Sequence, residues 1–213
     1  MSETSDNQTP TVSQEFDVAK AIAALPAEGQ VALFQDSVQQ RKPSALKLIL
    51  ASASIDPEQL ATAFLPAVRH GHLDIVSAML PYVDVNFHDK LNGYTPLMSA
   101  AMQPQTECVD LLLASPNIDI NATTTPDSHI TVAILLEPYR DSEHPALKEL
   151  SDIADKIFKD PRFDATAHDA HNKALKEIES QKNERWKQVT ARDEERRKVV
   201  QDLVAPVKSA LGL

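Results

Sequence analysis

The chain has 213 residues, of which 42% are hydrophobic, and a formal net charge of −10. This length accommodates one compact body with appendages or two small domains. A single cysteine, Cys108, excludes an internal disulfide framework. No apolar run approaches the ~20 residues that a membrane-spanning helix needs, and residues 1–14 lack the basic and apolar segments of a secretory signal. We therefore expect no membrane association and a reducing, cytoplasmic environment.

The charge is unevenly distributed along the chain. Residues 1–60, 61–166 and 167–213 carry net charges of −4, −8 and +2. Binding to a nucleic-acid backbone needs concentrated lysine and arginine, so the acidic body argues against a nucleic-acid partner. A protein partner with a basic surface fits the charge better. The alternative is that the acidity only keeps the protein soluble.

The composition favours helices. Alanine and leucine dominate the apolar residues, and only four glycines occur in the whole chain, which disfavours hairpins and phosphate-binding loops. The predicted fold class is therefore all-α. Residues 1–14 are polar without apolar periodicity, which predicts a disordered N-terminal tail. The first helices are expected over residues 16–25, 30–40 and 44–52, with Pro43 at the start of the third.

The next predicted helix begins at Asp56, in the run Asp-Pro-Glu-Gln. Aspartate is a good N-cap, proline suits the first helical position, and Gln59 is placed to complete a capping box. The helix is expected to run towards Arg69, with a kink or one lost hydrogen bond at Pro66. A second helix, over residues 73–80, is expected after a His-Gly-His break.

The sequence then repeats itself. Residues 61–80 align with residues 94–113 at an offset of 33 without a gap. Residues 112–122 align with residues 157–167 at an offset of 45, and a more degenerate unit is expected over residues 31–56. Repetition at such a period is typical of stacked helical repeats.

These residues resemble the ankyrin repeat. Its unit is a turn, a short inner helix opened by Thr-Pro-Leu-His, a Gly-His turn, an outer helix ending in leucines, and an Asp-Val-Asn loop. The matching segments are residues 93–97 with Ala100 and Ala101, residues 71–76, residues 84–86 and residues 119–121. The resemblance is specific across about residues 58–125 and fades over 31–57 and 126–166.

The resemblance implies an ankyrin-like helical solenoid of about 3–4 repeats, because such a unit is stable only when it is stacked. The expected repeat domain spans residues 15–166. Met98 departs from the family's pattern because it replaces the usual histidine, and Pro104-Gln105 replaces the usual Gly-His turn. We expect these departures to be available to another molecule. An insertion over residues 137–145 accounts for the longer second offset.

Residues 167–213 are expected to form a C-terminal helical extension. From residue 170 to residue 204 there is neither glycine nor proline, which predicts one long helix or two joined helices. Pro206 is expected to start a separate final turn. Two partial apolar stripes leave two interpretations open: the extension caps the last repeat, as a solenoid end requires, or Trp186 and the second stripe contact a partner.

The residues that could support catalysis or bind a metal are better explained structurally. Cys108 lies mid-helix on a face expected to be packed, where free cysteine behaves as a small apolar residue. His70 and His72 flank a turn, and His168 and His171 lie too far in sequence from the further ligands that zinc requires. No phosphate-binding, nucleophile-elbow or zinc-protease motif occurs. We therefore expect no enzyme activity, metal or cofactor.

Ankyrin repeats usually bind partners on a concave surface made of loop tips and inner helices. One loop in this chain is more apolar than solvation requires, and exposed apolar clusters often mark contacts. The alternative is that Leu91 and Tyr94 pack beneath that loop. The predicted protein-binding residues are Arg69, His70, Phe87, His88, Lys90, Leu91, Tyr94, Ser99, Met102, Gln103 and Trp186.

The resulting functional hypothesis is a non-catalytic protein–protein interaction module that acts as an adaptor, inhibitor or dedicated chaperone. A second hypothesis is a bacterial ankyrin-repeat effector that acts on a host protein in the host cytoplasm. A third and weaker hypothesis is an enzyme with a site in residues 126–213. A pocket gathering His129, His144, His168 or His171 with carboxylates would favour that third hypothesis. The sequence leaves the partner and the oligomeric state open.

Overall fold

The computed structural model of the chain describes residues 12–125 and 128–211. The chain divides into two compact units, and the division falls between Asp164 and Ala165. The boundary expected from the sequence lies two residues further along. Residues 1–11 of the predicted disordered tail, residues 1–14, lie outside the described residues.

Ten α-helices account for most of the described residues. No strand occurs in the two described ranges, where the only extended pairing is an isolated bridge between Thr123 and Thr131. This confirms the predicted all-α fold. The helices are α1 Val12–Ala23, α2 Ala27–Gln39, α3 Pro43–Ser52, α4 Pro57–Arg69, α5 Leu73–Met79, α6 Pro96–Met102, α7 Thr106–Leu113, α8 Val132–Leu136, α9 Lys148–Lys159 and α10 Ala165–Leu211. Three 3-10 turns occupy Leu80–Tyr82, Glu137–Tyr139 and Pro145–Leu147.

The start of α1 corrects one expectation. The helix begins at Val12, so the predicted tail is three residues too long and the predicted helix start is four residues too late. The exact end of a helix varies by one or two residues, so periodicity places the middle of a helix better than its ends.

Local capping signals define the helix starts inside the repeats. Asp56 accepts a hydrogen bond from the backbone N–H of Glu58 at 2.8 Å, and Thr95 accepts one from the backbone N–H of Met98 at 3.3 Å. Both caps precede a proline at the first helical position. The predicted capping-box role of Gln59 is wrong, because its Oε1 is buried and has no hydrogen-bond partner among the described residues.

Helix pairs stack along the first unit. Helix α4 packs against α5 and α6, α6 packs against α7 and α8, and α5 packs against α7. Ala100 and Ala101 are fully buried on α6, as expected for small residues where inner helices approach closely. Val109 and Leu112 are fully buried on α7. These buried residues therefore form part of the contacts between one pair and the next.

Two asparagines join each loop to the following one. The side-chain NH2 group of each asparagine donates to a backbone carbonyl of the following loop. Its side-chain oxygen accepts from the backbone N–H two residues after that carbonyl. The same two contacts recur although the second repeat contains a long insertion, which agrees with the offset of 45 read from the sequence. The bonds are Asn86 Nδ2 to Asn117 O at 2.7 Å, Asp119 N to Asn86 Oδ1 at 2.8 Å, Asn121 Nδ2 to Arg162 O at 2.8 Å and Asp164 N to Asn121 Oδ1 at 2.9 Å.

Arg162 adds a second contact at the later of these two boundaries. Its guanidinium donates to the carbonyl oxygens of Leu113 at 2.8 Å and Ser115 at 3.2 Å, at the C-terminal end of α7. It also donates to both carboxylate oxygens of Asp160, at 2.9 and 2.7 Å. The hydrogen bond from Arg162 lowers the pKa of the Asp160 carboxyl below its ordinary value. Arg162 therefore connects the C-terminal end of α7 to the loop of the following repeat.

The second unit contains α10, which is a single helix. The helix continues through Pro206 to Leu211, so the predicted separate final turn is wrong. Proline removes one backbone hydrogen bond and strains a helix without always ending it. No helix among the described residues is both long and apolar enough to cross a membrane.

Candidate protein-binding grooves

The loop between the 3-10 turn Leu80–Tyr82 and α6 provides the candidate site. We call residues 83–95 the finger loop. Asp89 organises its tip: its backbone N–H donates to the carbonyl of Tyr94 at 2.9 Å, and its carbonyl accepts from Gly93 N–H at 2.8 Å. Its Oδ1 also accepts from Leu91 N–H at 3.2 Å. Three bonds from one residue fix the turn that presents Leu91.

Gly93 is required by this turn. Its φ is +72°, in the left-handed region that favours glycine. A Cβ at this position would stand 2.3 Å from the carbonyl oxygen of Thr124. The finger loop therefore runs directly against the next loop. His88 makes a further contact there, since its Nε2 lies 2.8 Å from the carbonyl oxygen of Thr123.

The first groove, which we call the α4 groove, lies between α4 and the finger loop and has a volume of about 460 Å³. Phe87 forms part of its apolar lining and is itself half-buried, packed edge-to-face on the buried Phe64 ring with centroids 6.4 Å apart. Salt bridges join Lys90 to Glu58 and Arg69 to Asp89 across the groove. The groove is lined by Pro57, Glu58, Ala61, Thr62, Leu65, Pro66, Arg69, Phe87, His88, Asp89 and Lys90.

A second groove, the α6 groove, has a volume of about 320 Å³. Arg69 and Asp89 line both grooves, and their salt bridge of 2.7 Å forms the boundary between them. The Asp89 carboxylate thus holds α4 with one oxygen and the finger tip with the other. The α6 groove is lined by Arg69, Asp89, Leu91, Asn92, Tyr94, Ser99, Met102 and Gln103.

The structure brings together most of the residues predicted to bind a protein. Nine of them line one groove or both: Arg69, Phe87, His88, Lys90, Leu91, Tyr94, Ser99, Met102 and Gln103. His70 lines neither groove; it is exposed, and its ring centroid lies 5.8 Å from that of His72. Trp186 belongs to α10 in the second unit, where its side chain is 66% exposed.

Two expectations about exposure are wrong. Ser99, which is predicted to bind a partner, is only 3% exposed, and its Oγ has no hydrogen-bond partner among the described residues. Met98 belongs to the fully buried core and cannot contact a partner. The alternative of packing beneath the loop holds for the half-buried Tyr94. It is wrong for Leu91, which is 90% exposed.

Sequence reasoning missed Asp89, the residue that holds the site together. Asp89 and Asn92 precede Gly93, and such residues are typical of tight turns, so a turn signal was present. The partner of Asp89, Arg69, lies 20 residues earlier on another element. No local pattern predicts that pairing. The sequence also did not predict that Leu65 and Pro66 line the α4 groove.

Two of the residues that could act in catalysis or hold a metal, Cys108 and His144, have structural roles. Cys108 is fully buried, and burial, with a smaller effect of Glu107, raises its pKa to about 11. This supports its interpretation as a core residue, because the thiolate is the reactive form. His144 accepts a hydrogen bond from Ala146 N–H at 3.2 Å and caps a 3-10 turn. No group of three or more His, Cys, Asp or Glu side chains in the described ranges could hold a metal ion.

Stacked helix pairs joined loop to loop define the first unit as a linear helical-repeat array, a class in which each repeat contacts mainly its neighbours. The family model described as ankyrin repeats matches residues 34–124, in three copies. Residues 34–124 thus contain ankyrin repeats, which confirms the resemblance seen in the sequence. The match includes residues 34–56 of the degenerate unit expected over residues 31–56 and ends before the segment with the long insertion.

A crystal structure of EF0377, an ankyrin repeat protein, is also similar to this chain. The two sequences are 18% identical, and the TM-score is 0.44. The match covers 71% of this chain and 84% of that chain. Ankyrin repeats are generally protein–protein interaction modules.

Proposed function

We propose that the chain is a non-catalytic protein-binding module whose partner contacts the finger loop and the two adjoining grooves. Its role in the cytoplasm is that of an adaptor, an inhibitor or a dedicated chaperone. The observation that carries this proposal is Leu91, a large aliphatic side chain that is 90% exposed at a loop tip fixed by three hydrogen bonds of Asp89. Exposed apolar groups next to concave, partly apolar surfaces are typical of protein interfaces.

The fixed turn makes Leu91 suitable as an anchor. Binding is weakened by the entropy lost when loops and side chains become ordered, and a turn that is already ordered loses less. Leu91 can insert into a pocket of the partner, while apolar side chains of the partner enter the α4 groove beside Phe87. The charged residues of the α4 groove are paired with each other in two salt bridges. Apolar contact and shape therefore contribute more than charge at this surface.

The experiment compares Leu91→Ser with a matched control, Leu25→Ser. Leu25 is also exposed but lies in the connection between α1 and α2, away from both grooves. The full-length wild-type chain and both variants serve as baits for affinity purification from the native organism with quantitative mass spectrometry. Proteins recovered by the wild type and Leu25→Ser, and lost with Leu91→Ser, are expected. If Leu91→Ser recovers the same proteins in the same amounts, the proposed surface is wrong.

An identified partner allows a quantitative test. Leu91→Ser is expected to raise the dissociation constant at least about tenfold, equivalent to about 1.4 kcal/mol, because anchor side chains carry most of the energy of an interface. Phe87→Ala is less suitable, since Phe87 packs on the core at Phe64 and its loss also reduces stability. Trp186→Ala in the same assay shows whether the exposed tryptophan of α10 adds a contact.

A further inference from the structure

A third groove lies at the C-terminal end of α5, and we call it the α5 groove. Its volume is about 420 Å³. Its lining is mainly apolar and includes Leu80, Val83 and Leu111, together with Asp84 and Asn117. It shares no lining residue with the α4 and α6 grooves and includes only the first three residues of the finger loop, far in sequence from its tip at Leu91, so its occupant is a separate question from the proposed function.

The equivalent place at the next repeat boundary is occupied by Arg162. The offset of 33 pairs Leu80 with Leu113, and the offset of 45 pairs Asn117 with Arg162. Arg162 donates to the Leu113 carbonyl at 2.8 Å. Leu80 and Asn117, the counterparts of these two residues, both line the α5 groove. The groove therefore lies where an arginine side chain lies one repeat later.

At the α5 groove, Asn117 does not take the position that the Arg162 side chain takes one repeat later. Asparagine is shorter than arginine, and the bond that Asn117 makes to the neighbouring loop uses its backbone carbonyl, which accepts from Asn86. No hydrogen bond from the Asn117 side chain to Leu80 is present among the described residues. A carboxylate is nevertheless available, because Asp84 lines the groove, is exposed, and uses Oδ1 for the backbone N–H of Asn86 at 2.9 Å.

We propose that the α5 groove binds an arginine side chain of a partner protein. The three methylenes of arginine pack along the apolar walls. The guanidinium donates to the carbonyl oxygen of Leu80, since carbonyl oxygens have two lone pairs, and to the Asp84 carboxylate. The net charge of −12 over residues 1–166 favours a cationic partner. Arg162 provides the template within the chain, with two carbonyl oxygens and one carboxylate as acceptors.

Arginine is favoured over lysine by geometry. The guanidinium presents five donors in a planar fork, and it is more weakly hydrated than an ammonium group. Leu80 and Asp84 both line the groove, and a carbonyl with a carboxylate offers acceptors for two arms of that fork. A lysine ammonium is strongly hydrated and lacks the fork, so it gains less from the same acceptors.

The test is an NMR titration of the full-length protein, labelled with nitrogen-15, with two blocked tripeptides, acetyl-Ala-Arg-Ala-amide and acetyl-Ala-Lys-Ala-amide. The arginine peptide is expected to cause saturable shifts of the backbone amides around Leu80, Asp84 and Asn117. The lysine peptide is expected to bind at least about tenfold more weakly. Absence of shifts at the groove with the arginine peptide, or equal affinity for both peptides, would overturn the proposal.

Two substitutions at Asn117 complete the test. Asn117→Arg supplies the arginine from the chain itself, as Arg162 does at the next boundary. It is expected to abolish binding of the arginine peptide and to move the urea midpoint of unfolding upward. Asn117→Gln, which is too short to reach the same acceptors, is expected to leave both unchanged. If Asn117→Arg still binds the peptide like the wild type, the proposal is wrong. Leu91→Ser leaves peptide binding unchanged, which separates this inference from the proposed function.

Discussion

Replacing Arg162 with methionine should destabilise the repeat array by about 2–3 kcal/mol at neutral pH. Methionine keeps an apolar stem of similar length, so the substitution removes mainly the guanidinium. Two bonds to backbone carbonyls are lost, at 2.8 and 3.2 Å, together with the paired contact to Asp160. A hydrogen bond to a charged group contributes about 1.5–3 kcal/mol. The sum over these contacts is discounted to about 2–3 kcal/mol because solvent screens them: the Arg162 side chain is 36% exposed, although that of Asp160 is only 11% exposed.

The effect should depend on pH with a definite sign. Arg162 holds the pKa of Asp160 below its ordinary value in the folded protein. A depressed folded pKa contributes stability that is present above the unfolded pKa, ~3.9, and is lost as the pH falls through the folded value. The methionine variant lacks this contribution at every pH. The stability difference between the two proteins should therefore narrow as the pH is lowered from 7 to below the ordinary pKa of aspartate.

Equilibrium urea unfolding, followed by far-ultraviolet circular dichroism over this pH range, measures the difference. The matched control is Arg41→Met, which removes an arginine from another inter-repeat salt bridge, with Asp74 at 3.2 Å. Both of those side chains are more exposed, so the control should change the unfolding free energy by no more than about 0.5–1 kcal/mol. Equal unfolding free energies of Arg162→Met and Arg41→Met at neutral pH would contradict this role of Arg162, as would a loss of stability in Arg162→Met that does not depend on pH.

Three further predictions test the core, the finger turn and the buried thiol. Leu112→Ala should reduce the unfolding free energy by about 2–5 kcal/mol in urea titrations because it leaves a cavity, whereas Leu91→Ala, at an exposed position, should change it by less than about 0.5 kcal/mol. Gly93→Ala should destabilise by more than about 1 kcal/mol, because its Cβ would stand 2.3 Å from a backbone oxygen at positive φ; the opposite outcome, stabilisation by about 0.5–1 kcal/mol, is expected for Gly29→Ala inside α2. Cys108, with a pKa of about 11, should react with iodoacetamide at pH 8 far more slowly in the folded protein than in urea, as followed by mass spectrometry, and equal rates would contradict its burial.

The parts of the fold that depend on local chemistry could be predicted from the sequence. Asp56 and Thr95 each precede a proline, and both cap a helix in the structure. The alanines and leucines of the aligned repeats predicted which residues pack. Boundaries were less predictable: α1 begins at Val12, four residues earlier than expected, and α10 continues through Pro206. A single proline limits a helix only when no neighbouring hydrogen bonds compensate for the missing one.

The sequence predicted most of the residues that line the grooves, but not the contacts that hold those residues in place. The repeat pattern placed the finger loop and α6 on one surface, which identified most of the residues that line the grooves. Helical period tells which residues share a face, but it does not tell which neighbouring element covers that face. Ser99 and Met98 were therefore expected to be accessible and are buried. Likewise, the salt bridge of Arg69 with Asp89 joins two elements whose approach no local pattern encodes.

The two asparagines that join successive loops also define an exchangeable cassette. Asn86 and Asn121 make the same pair of backbone contacts although their acceptors lie at different distances along the chain. If residues 87–121 were duplicated in tandem, Asn121 of the first copy would bond to the second copy as Asn86 now bonds to the loop of Asn117. Asn121 of the second copy would bond to the loop of Arg162 as it does now. The asparagine hydrogen bonds at both junctions would then reproduce bonds that already exist, whereas the packing of α6 against a second α6 would be new. The array could in this way gain length, and with it a second finger loop, with its loop-to-loop hydrogen bonds unchanged.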